Sequence, residues 1–130
     1  MGFLMLVLIA GAASARPANP WTSGTVRYVT DGDTFRLTSG ERIRIADIDA
    51  PETHVRQAKC AREIEKGRAA TAKARALLDG RRVRFQPVGR SYNRVVARVS
   101  LEGRDVGDTL VAMGAARAWL RRHPKPDWCS

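Results

Sequence analysis

Five segments of the chain alternate apolar and polar side chains with the two-residue period of half-buried strands: 24–30, 34–38, 43–45, 82–86 and 94–101. The Ser39-Gly40 pair between the second and third segments predicts a hairpin turn. Pro87 predicts the end of the fourth segment, because proline lacks the N–H group that a strand ladder needs. The pattern therefore predicts five short strands.

Two further segments repeat apolar or small side chains with a helical period. Over residues 63–79 these side chains share one face, charged side chains lie outside it, and Gly80 predicts the C-terminal end. Residues 106–113 predict a short second helix that ends at Gly114. Gly67, in the middle of the longer helix, predicts close packing on the sheet rather than chemistry.

Five strands with an interposed helix, in a chain of 130 residues, predict one α+β, mainly β domain. The expected architecture is a five-stranded Greek-key barrel of OB-fold type with two or three helices. We assign this domain to residues 24–120, a linker to 16–23 and a basic C-terminal tail to 121–130. The prolines in that tail argue against a further long helix.

Residues 1–15 carry no charge, and their apolar run over 3–12 has the length of a signal-peptide core but is too short to span a membrane. Small residues at 13–15 fit a cleavage site that would leave Arg16 as the new N-terminus. The expectation is a secreted or periplasmic protein without stable membrane association after cleavage. The segment lacks the usual initial Lys or Arg, so an incorrect start codon and an uncleaved anchor stay open as alternatives.

If the protein is exported, its two cysteines are expected to form a disulfide, because thiols tend to pair in an oxidising compartment. A Cys60–Cys129 disulfide would tie the C-terminal tail to the start of the first helix. The alternatives are two free thiols and a Cys/His metal site, which the wide sequence separation of His54 and His123 disfavours.

The formal net charge of +10 favours polyanionic partners such as nucleic acids. An arginine-rich composition from a GC-rich genome explains the same excess without any binding function. Charge therefore supports binding of nucleic acid but says nothing about cleavage.

Against this basic background, six of the thirteen acidic residues lie close together: Asp31, Asp33, Glu41, Asp47, Asp49 and Glu52. An antiparallel hairpin would bring Asp33 near Asp49, and two such carboxylates repel unless a cation or proton lies between them. Hard oxygen ligands suit Ca²⁺. Arg44 could direct its guanidinium at an anion held by the same cation.

Each of these residues also has a simpler interpretation. The Asp31-Gly32 pair is first a turn signal, and Phe35 excludes an EF-hand loop because it replaces a ligand. Asp47 can be a solvated charge at a strand end, and Arg44 can be a surface partner of Glu41.

Three ordered segments nevertheless resemble the staphylococcal nuclease, or thermonuclease, family: DGDT at 31–34, IRIADIDAPET at 43–53 and SYNRVVARV at 91–99. A weaker match covers 110–119, so the resemblance extends over roughly residues 24–120. It implies an OB-fold barrel and a Ca²⁺-dependent nuclease. In this family a third helix often follows near residue 120.

The resemblance implies a role for each of eight residues. The metal ligands are Asp33, Asp49 and the backbone carbonyl of Ala50, the water-orienting or basic group is Glu52, the phosphate-binding arginines are Arg44 and Arg94, and the nucleotide-contacting aromatics are Tyr92 and Trp119. A core position for Trp119 is an open alternative. The expected activity is hydrolysis of DNA and RNA, preferably single-stranded, by a monomer with low sequence specificity. A non-catalytic OB-fold module for single strands or a protein partner, and a cationic envelope-binding protein, are the alternative functions.

Overall fold

The computed structural model describes residues 8–12 and 19–130. The expected cleavage site at 13–15, most of the expected signal peptide and the start of the linker lie outside the described residues. Among the described residues, no helix combines the length and the apolar character needed to cross a membrane.

In the described part of the chain, eight strands and two helices follow one another in this order: β1 Thr22–Asp31, β2 Thr34–Leu37, β3 Arg42–Ile45, β4 Ile48–Asp49, α1 Ala61–Leu78, β5 Arg82–Ser91, β6 Arg94–Leu101, β7 Arg104–Asp105, α2 Val106–Ala112 and β8 Arg117–Ala118. The mainly β fold class is confirmed. The five strands predicted from alternation correspond to β1, β2, β3, β5 and β6, and the short strands β4, β7 and β8 had no such signal.

The five long strands close into a barrel. In the sheet order β3-β2-β1-β5-β6 neighbouring strands are antiparallel, and a parallel pairing of β3 with β6 closes the cylinder. The interior holds the apolar residues of each strand, including Phe35, Ile43 and Val99. Removal of such side chains from water is the main stabilising term of a small barrel. The OB-type barrel expected from the sequence is confirmed.

The predicted end of a strand at Pro87 is wrong. Strand β5 continues to Ser91, with a register shift between Pro87 and Gly89. A bulge accommodates the missing proline N–H, and pairing with β6 resumes beyond it. The longer hairpin then turns at Tyr92, whose φ is 56°.

Helix α1 packs on the barrel through a narrow face of small residues. Its N-cap is Cys60, whose sulfur accepts the N–H of Glu63 at 3.4 Å. The helix ends before Gly80, which has a φ of 74°. Small side chains at the contact, such as Ala70 and Ala74, are fully or almost fully buried and let the helix approach the strands closely.

After β8 the described chain forms no third helix and instead folds back over the domain. The predicted Cys60–Cys129 disulfide is present. Trp128, just before it, is only 5% exposed, and its carbonyl oxygen accepts Lys66 Nζ at 3.0 Å. The tail from 121 to 130 is therefore attached to the start of α1 both covalently and by packing.

Replacing both cysteines by serine should lower the free energy of unfolding by about 4 kcal/mol, because the disulfide closes a long loop of the unfolded chain. Serine keeps an N-cap acceptor at position 60, so the helix start is preserved. The measurement is urea denaturation of the oxidised protein, the reduced protein and the Cys60→Ser/Cys129→Ser variant. Unfolding of the variant at the same urea concentration as the oxidised protein would contradict the expectation.

Candidate functional site

One cavity of about 670 Å³ lies against the β3–β6 side of the barrel, and seven of the eight residues assigned by resemblance line it: Asp33, Arg44, Asp49, Glu52, Tyr92, Arg94 and Trp119. They come from the turn before β2, strand β3, strand β4 and the loop after it, the β5–β6 turn with the start of β6, and the segment after β8. The fold therefore brings together side chains that are widely separated along the sequence.

Asp33 lies in the turn between β1 and β2 and is 8% exposed. Its carboxylate accepts Thr34 Oγ1 at 2.9 Å and the Ala50 N–H at 3.0 Å, and Arg44 Nη2 is 3.5 Å away. The hairpin therefore places Asp33 beside the residue that follows Asp49, as expected. The alternative pairing of Arg44 with Glu41 is wrong, because the guanidinium turns toward Asp33.

Asp49, on β4, is 2% exposed, and both its oxygens are occupied. Lys125 Nζ donates to each of them at 2.9 Å, and Trp128 Nε1 donates to Oδ2 at 2.9 Å. Sequence reasoning missed both donors. The expected disulfide at Cys129 was the only available signal, since it predicts that the adjoining Trp128 returns to the domain.

Ala50 is buried, and its amide N–H contacts Asp33. A Cβ atom at Gly32 would lie 2.7 Å from the Ala50 Cβ, so only glycine permits this close approach of the two acidic segments. The proposed role of the Ala50 carbonyl as a ligand stays a prediction.

Asp31 is an acidic group of the cavity that the residue assignments missed, although it belongs to the DGDT motif. Burial raises its pKa to about 7, and the neighbouring Asp33 carboxylate and Glu52 contribute. Burial also raises the pKa of Glu52, with a further contribution from Asp33. Burial and the crowding of these carboxylates thus both make their ionisation less favourable.

The donor set fits a hard divalent cation, because the cavity presents the carboxylates of Asp31, Asp33, Asp49 and Glu52. Across residues 8–12 and 19–130, however, no three acidic, His or Cys side chains already converge as ligands. The Lys125 ammonium lies against both oxygens of Asp49. A cation at this carboxylate would therefore compete with the ammonium.

Arg94, at the start of β6, reaches the same edge of the cavity. Its Nη1 is 3.5 Å from Thr34 Oγ1, and its Nη2 is 3.3 Å from Ser91 Oγ. Thr34 is the cross-strand partner of Arg44, so the two guanidiniums flank one position in the barrel wall. These long hydrogen bonds hold Arg94 only weakly, so the guanidinium stays accessible to an anion.

The two aromatic residues also lie at the cavity. Tyr92 is 93% exposed at the β5–β6 turn, with the Arg94 guanidinium 6.0 Å from its ring centre. Trp119 is half-buried, and its indole N–H donates to the His123 carbonyl at 2.9 Å. Trp119 therefore takes the cleft position rather than the alternative position in the core.

A comparison with protein families matches residues 42–127 to the model described as staphylococcal nuclease homologue, which is about two thirds of the chain. The chain belongs to the staphylococcal nuclease family. A comparison with curated proteins finds no match. The family match begins after Asp31 and Asp33, and in this family member the end of β1 and the turn before β2 supply those two carboxylates to the cavity.

Helix α1 holds the backbone that carries Glu52. The Glu63 carboxylate accepts the N–H of Glu52 at 3.0 Å and that of Lys59 at 3.1 Å. Burial pushes the pKa of Glu63 up, but these two N–H groups and the nearby lysines lower it overall. A Cβ atom at Gly67 would lie 2.5 Å from the Glu52 carbonyl oxygen, so the helix touches this loop directly.

Replacing Glu63 by Gln should lower the free energy of unfolding at pH 7 by about 1–3 kcal/mol, because one buried N–H loses its acceptor. The lowered pKa means that this stabilisation is fully present above the ordinary value of 4.5 and is lost as the pH falls through the folded-state pKa. Urea denaturation from pH 7 down to pH 3 measures the difference. Glu65→Gln, on the exposed side of α1, is the matched control, and a difference that grows toward acid would contradict the assignment.

Replacing Gly67 by Ala should destabilise the protein by about 1–3 kcal/mol, because the added methyl group overlaps the Glu52 backbone. Gly89→Ala is the matched control, since a Cβ there meets nothing within 4 Å. Thermal unfolding and the amide resonance of Glu52 measure the effect. A Gly67→Ala protein as stable as the control, with an unmoved Glu52 resonance, would show that the contact is not tight.

Proposed function

We propose that this member of the staphylococcal nuclease family is an exported, Ca²⁺-dependent nuclease that hydrolyses DNA and RNA with low sequence specificity. Family membership supports a nuclease-like function in general. The observation that carries the specific proposal is the shared cavity, which buried aspartates line together with Glu52, Arg44 and Arg94.

The residues of this cavity are suited to attack of water on a phosphodiester. Arg44 and Arg94 would hold the non-bridging oxygens, and arginine suits this role because it stays charged and presents a planar fork. Their attraction grows as negative charge builds up on those oxygens, which stabilises the transition state more than the ground state. Bound Ca²⁺ would supply further neutralisation of the same charge.

Glu52 is the candidate for orienting or deprotonating the attacking water. Its raised pKa makes it a better proton acceptor than an ordinary carboxylate. As in the family, the P–O5′ bond would break, the water oxygen would stay on phosphorus, and the 5′ oxygen would leave with a proton. The products would be a 3′-phosphate and a 5′-hydroxyl end.

Nucleic acid as the substrate is supported by charge and by an exposed aromatic group. The net charge of +10 attracts the phosphate backbone. Tyr92, almost fully exposed beside Arg94, can stack on an unpaired base, which favours single strands and tolerates any sequence. The disulfide supports an oxidising location, secreted or periplasmic, and we propose that the protein acts there as a monomer.

A second candidate function is a non-catalytic OB-fold module that binds single-stranded nucleic acid. The observation that favours it is the ion pair between Lys125 and Asp49, which occupies one of the two proposed ligand aspartates. Such a module would bind without Ca²⁺ and without turnover.

Incubation of the purified protein with single-stranded DNA or RNA should give Ca²⁺-dependent cleavage that EGTA abolishes. Arg94→Ala should reduce the rate by about 10² or more, on the scale of a lost transition-state donor. The matched control is Arg98→Ala, which removes an exposed arginine of the same strand. Cleavage that survives both EGTA and Arg94→Ala would reject the proposal, and binding without cleavage would favour the module.

A further inference from the structure

The C-terminal segment, defined here as residues 124–130, supplies two of the groups that contact Asp49. Lys125 and Trp128 reach the same buried carboxylate from the end of the chain, 76 and 79 residues away in sequence. The Cys60–Cys129 disulfide lies directly after Trp128. The covalent link therefore holds this segment at the site.

Trp128 is fixed in place on several sides. Its ring is 5% exposed, the Arg117 guanidinium lies 4.2 Å from the ring centre, and its carbonyl accepts Lys66 Nζ. A ring held in this way directs its N–H at one oxygen, Asp49 Oδ2. Indole is a donor only and carries no charge, so it can orient the carboxylate without competing with a cation.

Lys125 has a different character. Its ammonium contacts both oxygens of Asp49, yet its side chain is 36% exposed. A flexible four-carbon stem at the surface can swing into solvent without disturbing the core. While it stays, it compensates a carboxylate that would otherwise be buried without a counter-charge.

We propose that Trp128 is a positioning residue for Asp49, and that Lys125 occupies the cation position at this carboxylate until a divalent cation displaces it. The disulfide holds the segment that carries Lys125 and Trp128 next to Asp49. The inference rests on the proposed function in one respect, since it takes Asp49 to be a cation ligand. The proposal predicts that Trp128 strengthens cation binding at Asp49 and that Lys125 weakens it.

Trp128→Phe keeps an aromatic ring at this position but removes the indole N–H that orients Asp49. Loss of a group that orients a metal ligand typically weakens metal binding about 10–100-fold, and we expect a loss in this range. Lys125→Met removes the competing charge at nearly constant volume. Ca²⁺ affinity should then rise about tenfold, because the ion no longer has to displace an ammonium.

Isothermal titration calorimetry of the full, disulfide-bonded chain with Ca²⁺ alone, without nucleic acid, tests both effects. Trp21→Phe is the control for the first variant, because Trp21 lies beside Arg84 and not at the cavity. Lys73→Met is the control for the second, since Lys73 is outside the cavity and its removal changes the net charge equally. A ¹⁵N spectrum of the indole groups provides a second readout, in which the Trp128 signal should shift on Ca²⁺ addition.

Weaker binding by Trp128→Phe and tighter binding by Lys125→Met, with both controls within about twofold of the parent protein, would support the inference. Parent-like affinities in both variants would overturn it and leave the proposed function intact. Weaker binding by Lys125→Met would overturn the displacement role. If Trp128→Phe does not fold, Lys125→Met and the indole spectrum decide. Absence of Ca²⁺ binding in both the parent and Lys125→Met would reject the cation site, and with it both the proposed function and this inference.

Discussion

Two buried carboxylates, those of Asp33 and Asp49, impose the main constraint on this structure. A charge removed from water is costly unless fixed donors or an opposite charge surround it. Asp33 meets this requirement through its hairpin neighbours, and Asp49 meets it through the end of the chain. Strands, loop and tail therefore converge on the same cavity.

Close backbone packing makes this convergence possible. Gly32 lets the first acidic segment approach Ala50, and Gly67 lets α1 lie against the backbone of Glu52. The Glu63 carboxylate then fixes that loop by accepting two of its N–H groups. The parallel contact of β3 with β6 places Arg44 and Arg94 along one wall. The same few contacts thus pack the domain and position the residues of the candidate site.

The C-terminal segment connects stability with the site. Instead of a third helix, the described chain ends in an irregular segment that a disulfide and a buried indole hold against α1. That segment also places an ammonium and an N–H group on Asp49. A single covalent link therefore stabilises the fold and determines the surroundings of a proposed ligand.

The sequence by itself determined the five barrel strands and both helices, and it predicted the disulfide and seven residues of the cavity, because hydrophobic periodicity and short motifs are local signals. It did not reveal the bulge that carries β5 past Pro87, since a register shift depends on the partner strand. The partners of Asp49 and the buried role of Glu63 also required the tertiary structure. The contacts of Asp49 join residues 76 and 79 positions apart in sequence, so only the closed barrel and the returning tail decide which donors reach this buried carboxylate.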